Sequence, residues 1–243
     1  MTEWFTKWFG KEYLDLYPHR DEAEARAAVD MILRTLDETL GDAPMHAALD
    51  LACGSGRHTR ALCDHVWTVG LDLSATLLEV AAAESPSVPF VRADMRVLPF
   101  AAGAFDLVIN LFTSFGYFAT DEENRTVLRE VHRVLGSGGT FVLDYLNADN
   151  VRDTLVPEDT RGVGDRIVTQ RRKITEDGRY VEKTISATDC ANKYLERVRL
   201  FEPVELRSLI TDAGFTITHE LGDYDGSALE ADSPRTIFFA RRT

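Results

Sequence analysis

The sequence predicts an α/β fold: a mostly parallel seven-stranded sheet with helices on both faces, a closing antiparallel strand and an inserted antiparallel β lid. Three observations predict it. Strand-like and helix-like segments alternate from Met45 to Leu143, the pattern of parallel strands joined by helical crossovers. The polar residues Asp50, Asp72, Asp94 and Asn110 close four successive strand segments, and ligands of such sheets sit at the carboxyl ends of strands. After Asn150 the alternation gives way to extended runs rich in β-branched and aromatic residues.

Taken in order, a helix is expected from Asp21. Val29, Ile32, Leu33, Leu36 and Leu40 share one face, Asp21 caps it and Gly41 ends it. A strand at about Met45 to Leu51 leads to a helix over Arg57 to Cys63, and a second strand, Val66 to Leu71, ends in Asp72. Ser74 caps the next helix through Leu77, Leu78, Val80 and Ala81, with Pro86 as its stop. Strand three runs from Pro89 to Ala93 and strand four from Phe105 to Ile109. A helix from about Glu122 repeats Leu128, Val131 and Leu135, and Gly136, Gly138 and Gly139 break it before strand Thr140 to Leu143. RIVTQRRKIT, RYVEKTISAT and YLERVRLF then read as three lid strands, with Asp177-Gly178 as a hairpin turn. A helix from Pro203 to Ala213 and the strands FTITHELG and RTIFFARR complete the sheet. The organisation expected is a helical flap over residues 1–40, a core over 41–150, an inserted β lid or oligomer face over 151–201, and the rest of the core over 202–243.

Composition narrows the function. With 44% hydrophobic and 28% charged residues, the chain is an ordinary globular protein rather than a disordered one. The N-terminus mixes aromatics with both signs of charge, unlike a signal peptide. No apolar run approaches the ~20 residues of a membrane span, so a cytoplasmic protein with no membrane partner is expected. The net charge of −13 disfavours nucleic acid as a partner, and Arg166, Arg171, Arg172 and Lys173 read as outward positions of a strand. Cys53, Cys63 and Cys190 are odd in number and widely spaced, which gives neither a disulfide framework nor a metal knuckle. No metal is expected.

The stretch LDLACGSGRHT, Leu49 to Thr59, carries two glycines one residue apart at a strand-to-helix turn. Gly54 and Gly56 let backbone approach a ligand where a β-carbon would intrude. A dinucleotide fingerprint needs a third small residue, and Thr59 stands there. Asp72, 22 residues after Asp50, is placed to bond ribose hydroxyls, and Asp94 can accept from an adenine amine. Each acid thus matches part of an adenosine carrying an amino-acid tail.

DLACGSG (Asp50 to Gly56), GLDLS (Gly70 to Ser74), ADMRVLPF (Ala93 to Phe100), FDLVIN (Phe105 to Asn110) and LREVHRVLGSGGTFVLD (Leu128 to Asp144) resemble, in order, the motifs of class I S-adenosylmethionine-dependent methyltransferases of the small-molecule type. The likeness covers about Ala48 to Asp144 and resumes at ELRSLITDAGF and SPRTIFFARR. It implies a Rossmann-like sheet and S-adenosyl-L-methionine as cofactor. It also implies that Asp50, Ala52, Gly54 and Gly56 line the methionine portion, Asp72 the ribose, Asp94 and Met95 the adenine, and Asn110 with Phe112 the sulfonium, with Leu73 a further cofactor contact. Ala52 stands where many relatives have glycine. Tyr17 is expected on a closing flap, with Arg20 as a carboxylate partner.

The reaction expected is methyl transfer, by in-line displacement, to a nitrogen or oxygen of a small molecule. An amine acceptor needs no strong base; for an oxygen acceptor Tyr117, Tyr145 and His19 are the candidates. The aromatic run NLFTSFGYF from Asn110 to Phe118 offers ring faces to a cation. Asn110-Leu111-Phe112-Thr113 lacks the prolines of the Asn/Asp-Pro-Pro-Tyr motif of adenine- and glutamine-modifying relatives. Two other readings remain open: a nicotinamide-dependent oxidoreductase, and a non-catalytic S-adenosylmethionine-binding scaffold that forms a homo-oligomer through the lid.

Overall fold

A computed structural model describes residues 3–17, 22–40, 44–188 and 193–243. His19, Arg20, Asp21, Gly41 and Cys190 lie outside the described residues. In chain order the elements are α1 (Trp4–Trp8), α2 (Lys11–Leu16), α3 (Glu22–Leu40), β1 (Ala47–Leu51), α4 (Arg57–Cys63), β2 (Trp67–Asp72), α5 (Ala75–Glu84), β3 (Phe90–Arg92), β4 (Phe105–Asn110) and α6 (Asp121–Val134). They continue as β5 (Leu135–Leu146), α7 (Ala148–Thr154), β6 (Glu158–Val163), β7 (Arg166–Ile174), β8 (Tyr180–Ala187), β9 (Tyr194–Arg199), α8 (Pro203–Asp212), β10 (Phe215–Leu221) and β11 (Arg235–Arg242).

Seven strands form one sheet in the order β10-β11-β5-β4-β1-β2-β3. Neighbours are parallel from β5 to β3, and β11 runs antiparallel between β5 and β10. Alternate strand residues serve opposite faces, so the sheet builds two cores. Ala48, Leu107, Ile109, Val142, Ile237 and Phe239 pack with Val29, Ile32 and Leu36 of α3 and Leu62 of α4. Leu49, Val108, Phe141, Leu143 and Phe238 pack with Val127, Leu128 and Val131 of α6 and Leu206, Leu209 and Ile210 of α8. Strand order reverses between β1 and β4, and the cavities described below open at the carboxyl ends of these strands.

Two local expectations change. The glycines after α6 do not precede the strand. β5 starts at Leu135, and a register shift sets Asp106 of β4 against residues 136–139, so the glycines form an irregular widening of the ladder. Second, the smaller sheet has four antiparallel strands, β6-β7-β8-β9, rather than three. β6, EDTRGV, is a mostly exposed edge strand without the apolar alternation that reveals a strand in sequence. α7 was also not foreseen; Asn147 caps it, accepting from the Asp149 N–H at 3.2 Å.

The Asp177-Gly178 turn joins β7 to β8 as expected, with Gly178 at φ 70°. The N-terminal helices lie between this smaller sheet and the core: Trp8, Tyr13 and Leu16 share a cluster with Leu77 of α5, Val168 of β7 and Ile185 of β8. The basic residues of β7 are matched by acids: Arg166 with Glu12, Arg171 with Glu158, Arg172 with Asp159 and Lys173 with Glu182.

Candidate active site

The turn after β1 is built by backbone that most residues avoid. Ala52 has φ 62°, Gly54 58° and Gly56 82°. Ala52 therefore takes the left-handed conformation that a glycine there would adopt freely, at a cost of about 1–2 kcal/mol. Asp72 fixes the loop from β2: its Oδ2 accepts from the Gly54 N–H at 2.9 Å and its Oδ1 from the Ser74 N–H at 2.8 Å. Burial raises the Asp72 pKa, against those backbone N–H groups. Ser74 caps α5 by accepting from the Leu77 N–H at 3.2 Å, and its hydroxyl donates to the Phe9 carbonyl at 2.5 Å. One side chain thus starts a core helix and holds the N-terminal segment.

A cavity of about 390 Å³ opens over this loop, within the usual size range of small-molecule sites. Of the expected site residues, Ala52, Gly54, Asp72, Leu73, Asp94, Met95, Phe112 and Tyr117 line it. Phe9, Tyr13, Ser74 and Arg57 line it as well. Arg57 opens α4, and no motif distinguishes its side chain in sequence. Asp94 is partly engaged by Arg96, whose Nε lies 3.0 Å from Oδ1 and Nη2 2.6 Å from Oδ2. Burial opposes its charge, but Arg96 holds the Asp94 carboxyl below its ordinary range. Arg96 also reaches Glu3 at 2.8 Å and Glu123 at 2.6 Å, so the loop after β3, the start of α6 and the N-terminal segment share one cation.

Several expected residues stand elsewhere, for identifiable reasons. Asp50 is buried behind the loop, where the Thr59 hydroxyl donates to its Oδ2 at 2.6 Å. Burial raises its pKa to about 7. Gly56 does not line the cavity; a β-carbon there would come within 3.1 Å of Ala81 and 3.3 Å of the Phe90 ring, so its small size serves packing. Asn110 is buried, and its Nδ2 donates to the Leu51 carbonyl at 2.7 Å, tying the end of β4 to that of β1. Tyr17 lies outside the cavity lining, with Arg161 of β6 and Lys183 of β8 over its ring. Tyr145 is fully buried and donates to the Arg199 carbonyl. Burial pushes its pKa up, and Tyr145 lines neither the cavity over the loop nor the second cavity described next. His19 and Arg20 lie outside the described residues.

A second cavity, about 370 Å³, shares Phe9, Phe112 and Tyr117 with the first. Its remaining wall includes Arg172, Lys183, Glu196 and Val198 of the smaller sheet and Arg235 of β11. The ring of Tyr117 stacks on Phe9 at 5.8 Å, a parallel aromatic partition between the two spaces. Phe112 and Thr113 at this junction have φ 59° and 58°, unusual for a bulky and a β-branched residue and costing about 1–3 kcal/mol each. Glu196 is shared, accepting from Trp8 Nε1 at 2.7 Å and pairing with Lys183.

Among the described residues no group of three or more His, Cys, Asp or Glu side chains is placed to hold a metal ion, and no helix is long and apolar enough to cross a membrane. The partly engaged acids after β2 and β3 and the positive-φ loop suit an adenosine with a short polar tail.

Fold and site thus define an α/β protein of doubly wound type with a cavity at the point where strand order reverses. Residues 48–139 match the family described as a methyltransferase domain. A demethylmenaquinone methyltransferase of Thermus thermophilus is 31% identical over 205 residues, 81% of this chain and 86% of that protein. A dTDP-3-amino-3,6-dideoxy-alpha-D-glucopyranose N,N-dimethyltransferase of Streptomyces fradiae is 29% identical over 236 residues, 93% of this chain and 86% of that protein. In fold, the chain is similar to an S-adenosylmethionine-dependent methyltransferase of Clostridium acetobutylicum, with a TM-score of 0.82 at 19% identity, covering 95% of this chain and 98% of that one. The chain belongs to the S-adenosylmethionine-dependent methyltransferase family. It is an enzyme of that class with S-adenosylmethionine as cofactor, which displaces the oxidoreductase and scaffold readings.

Proposed function

We propose that the chain methylates an amine nitrogen of a small molecule held in the second cavity, with the cofactor in the first. The observation that carries this reading is the shared wall of Phe9, Phe112 and Tyr117. Aromatic faces attract cations from either side. Among the described residues lining the second cavity, the one carboxylate, Glu196, is already engaged by Trp8 and Lys183, which favours an acceptor that needs no strong base. The Streptomyces fradiae relative named as an N,N-dimethyltransferase aligns with 93% of this chain, which adds to the same reading.

S-adenosylmethionine supplies an electrophilic methyl group on a sulfonium when bound. The chain's task is alignment, which can be worth roughly 7–11 kcal/mol of barrier. With the cofactor bound, Asp72 would hold the ribose hydroxyls, Leu73, Asp94 and Met95 would flank the adenine, and Ala52 and Gly54 would follow the methionine portion. Phe112 and Tyr117 would exclude water around a neutral amine nitrogen presented from the second cavity. Of the flap expected over residues 1–40, α1 and α2 are the part placed to close, because α3 packs on the sheet with the core; the lid corresponds to the smaller sheet, β6 to β9. Exposed Ile167 and Leu195 leave the lid open as a homo-oligomer face, which sedimentation tests. A cytoplasmic location is proposed with the same reading.

Radiolabelled methyl transfer from S-adenosylmethionine to parallel panels of amino sugars, other primary and secondary amines, phenols and quinols tests the acceptor class. Label on amines supports the proposal. Label confined to phenols or quinols overturns it.

A further inference from the structure

We propose that Asp144 is a positioning residue for methyl transfer, because it holds the Phe112–Thr113 turn that separates the two cavities. The inference rests on the reading of those cavities as cofactor and acceptor sites. Asp144 lies within the buried stretch of β5, residues 139–145, and is itself fully buried. Its Oδ2 accepts from the Phe112 N–H at 2.8 Å, and its carbonyl accepts from the Thr113 N–H at 3.2 Å. One residue therefore binds both N–H groups of a turn whose two residues sit in left-handed backbone.

The same carboxylate is secured from the other side. Arg235 Nη1 lies 3.1 Å from its Oδ2, and the Tyr224 hydroxyl donates to that oxygen at 2.6 Å. Arg235 continues to Glu24 of α3 at 2.6 Å, and Glu24 reaches Arg57 of α4 at 3.2 Å. Both guanidinium groups approach the Phe112 ring, Arg57 at 4.2 Å and Arg235 at 5.5 Å from its centre. A chain of alternating charges drawn from β5, β11, α3 and α4 thus surrounds one ring, and fixes its backbone as well.

A β-branched or bulky residue leaves positive φ unless its surroundings over-determine it. Without Asp144 the turn relaxes, and the Phe112 ring moves from the junction where donor and acceptor must meet. Misplacement of about 1 Å at such a junction can cost on the order of 100-fold in rate.

The test compares Asp144→Asn, Thr113→Gly and the double variant in the full chain. It reads kcat and KM with whichever acceptor labelled transfer identifies, affinity for S-adenosylhomocysteine by calorimetry, and the active fraction from the binding stoichiometry. Asp144→Asn is expected to lower kcat per binding-competent site at least tenfold, with S-adenosylhomocysteine affinity changed less than threefold. Thr113→Gly in that background, which adopts positive φ without strain, is expected to restore at least a third of the lost activity. Unchanged kcat per binding-competent site in Asp144→Asn, or no rescue by Thr113→Gly, overturns the proposal. If Asp144→Asn does not fold, Tyr224→Phe replaces it, with an expected threefold or greater fall in kcat relieved by Thr113→Gly; an unchanged kcat then overturns it. An acceptor other than an amine refutes the amine reading and leaves this test intact, and failure of the rescue leaves the amine reading intact.

Discussion

Trp8 and Glu196, 188 positions apart, are joined by a hydrogen bond of 2.7 Å from the indole Nε1 to the carboxylate. α1 is thereby fastened to β9, on the far wall of the second cavity. Trp8→Phe keeps the ring's bulk and removes the donor from a half-buried carboxylate, so stability should fall by about 1–3 kcal/mol. KM for the acceptor should rise several-fold, with S-adenosylhomocysteine affinity within twofold of the parent. Thermal unfolding and steady-state kinetics check this; a variant impaired only in cofactor binding would place the contact in the wrong site.

Asp72 presents both oxygens to backbone N–H groups and still faces the first cavity. Asp72→Ala should weaken S-adenosylhomocysteine binding by roughly 1.5–3 kcal/mol, about 10- to 100-fold. Calorimetry measures it directly, and an unaltered affinity would remove Asp72 from the ribose.

The two glycines of the loop should separate binding from stability. Gly54 lines the cavity at φ 58°, so Gly54→Val should abolish measurable cofactor binding at micromolar concentrations. Gly56 faces Ala81 and Phe90 instead. Gly56→Ala should cost about 2–3 kcal/mol of stability through strain and overcrowding, with binding by the folded fraction retained. Equal losses of affinity in both variants would contradict the division.

Asp50 gives a pH dependence of definite sign. Burial raises its carboxyl from an ordinary 3.8 to about 7 in the folded chain, so the folded state holds the proton more tightly than the unfolded one. Its stabilising contribution is complete below 3.8 and is lost as pH rises through about 7. Across that window the slope approaches about 1.4 kcal/mol per pH unit. Asp50→Asn should remove this component, so that the difference in unfolding free energy between variant and parent changes across the window. A constant difference from pH 4 to 8 would show that Asp50 titrates normally.

Tyr145 is sealed behind the Arg199 carbonyl. Tyr145→Phe should therefore lower stability by about 1–3 kcal/mol through the unpaired carbonyl and leave the pH profile of kcat/KM unshifted. Loss or a shift of the acid-side limb, on which activity rises with pH, would return Tyr145 to the candidate bases.

The sequence by itself determined the parallel α/β core, because apolar periodicity, caps such as Ser74 and strand-end acids are local signals. The cofactor class was legible through resemblance, since DLACGSG, GLDLS and the motifs that follow them in order are similar to those of S-adenosylmethionine-dependent methyltransferases, although the glycine spacing alone left a dinucleotide open. It did not determine which motif residues face the ligand. Asp50 and Gly56 share DLACGSG with Gly54, and Asn110 closes FDLVIN, but Thr59, Phe90 and Leu51 draw them into packing and loop support; Thr59 is only nine residues from Asp50, whereas Phe90 and Leu51 come from other strands. The partition of Phe9, Phe112 and Tyr117, the Trp8–Glu196 tie and the Asp144–Arg235–Glu24–Arg57 chain depend on residues up to 211 positions apart. Only folding sets such pairs side by side, because burial and charge pairing act over a few ångströms of space irrespective of distance along the chain.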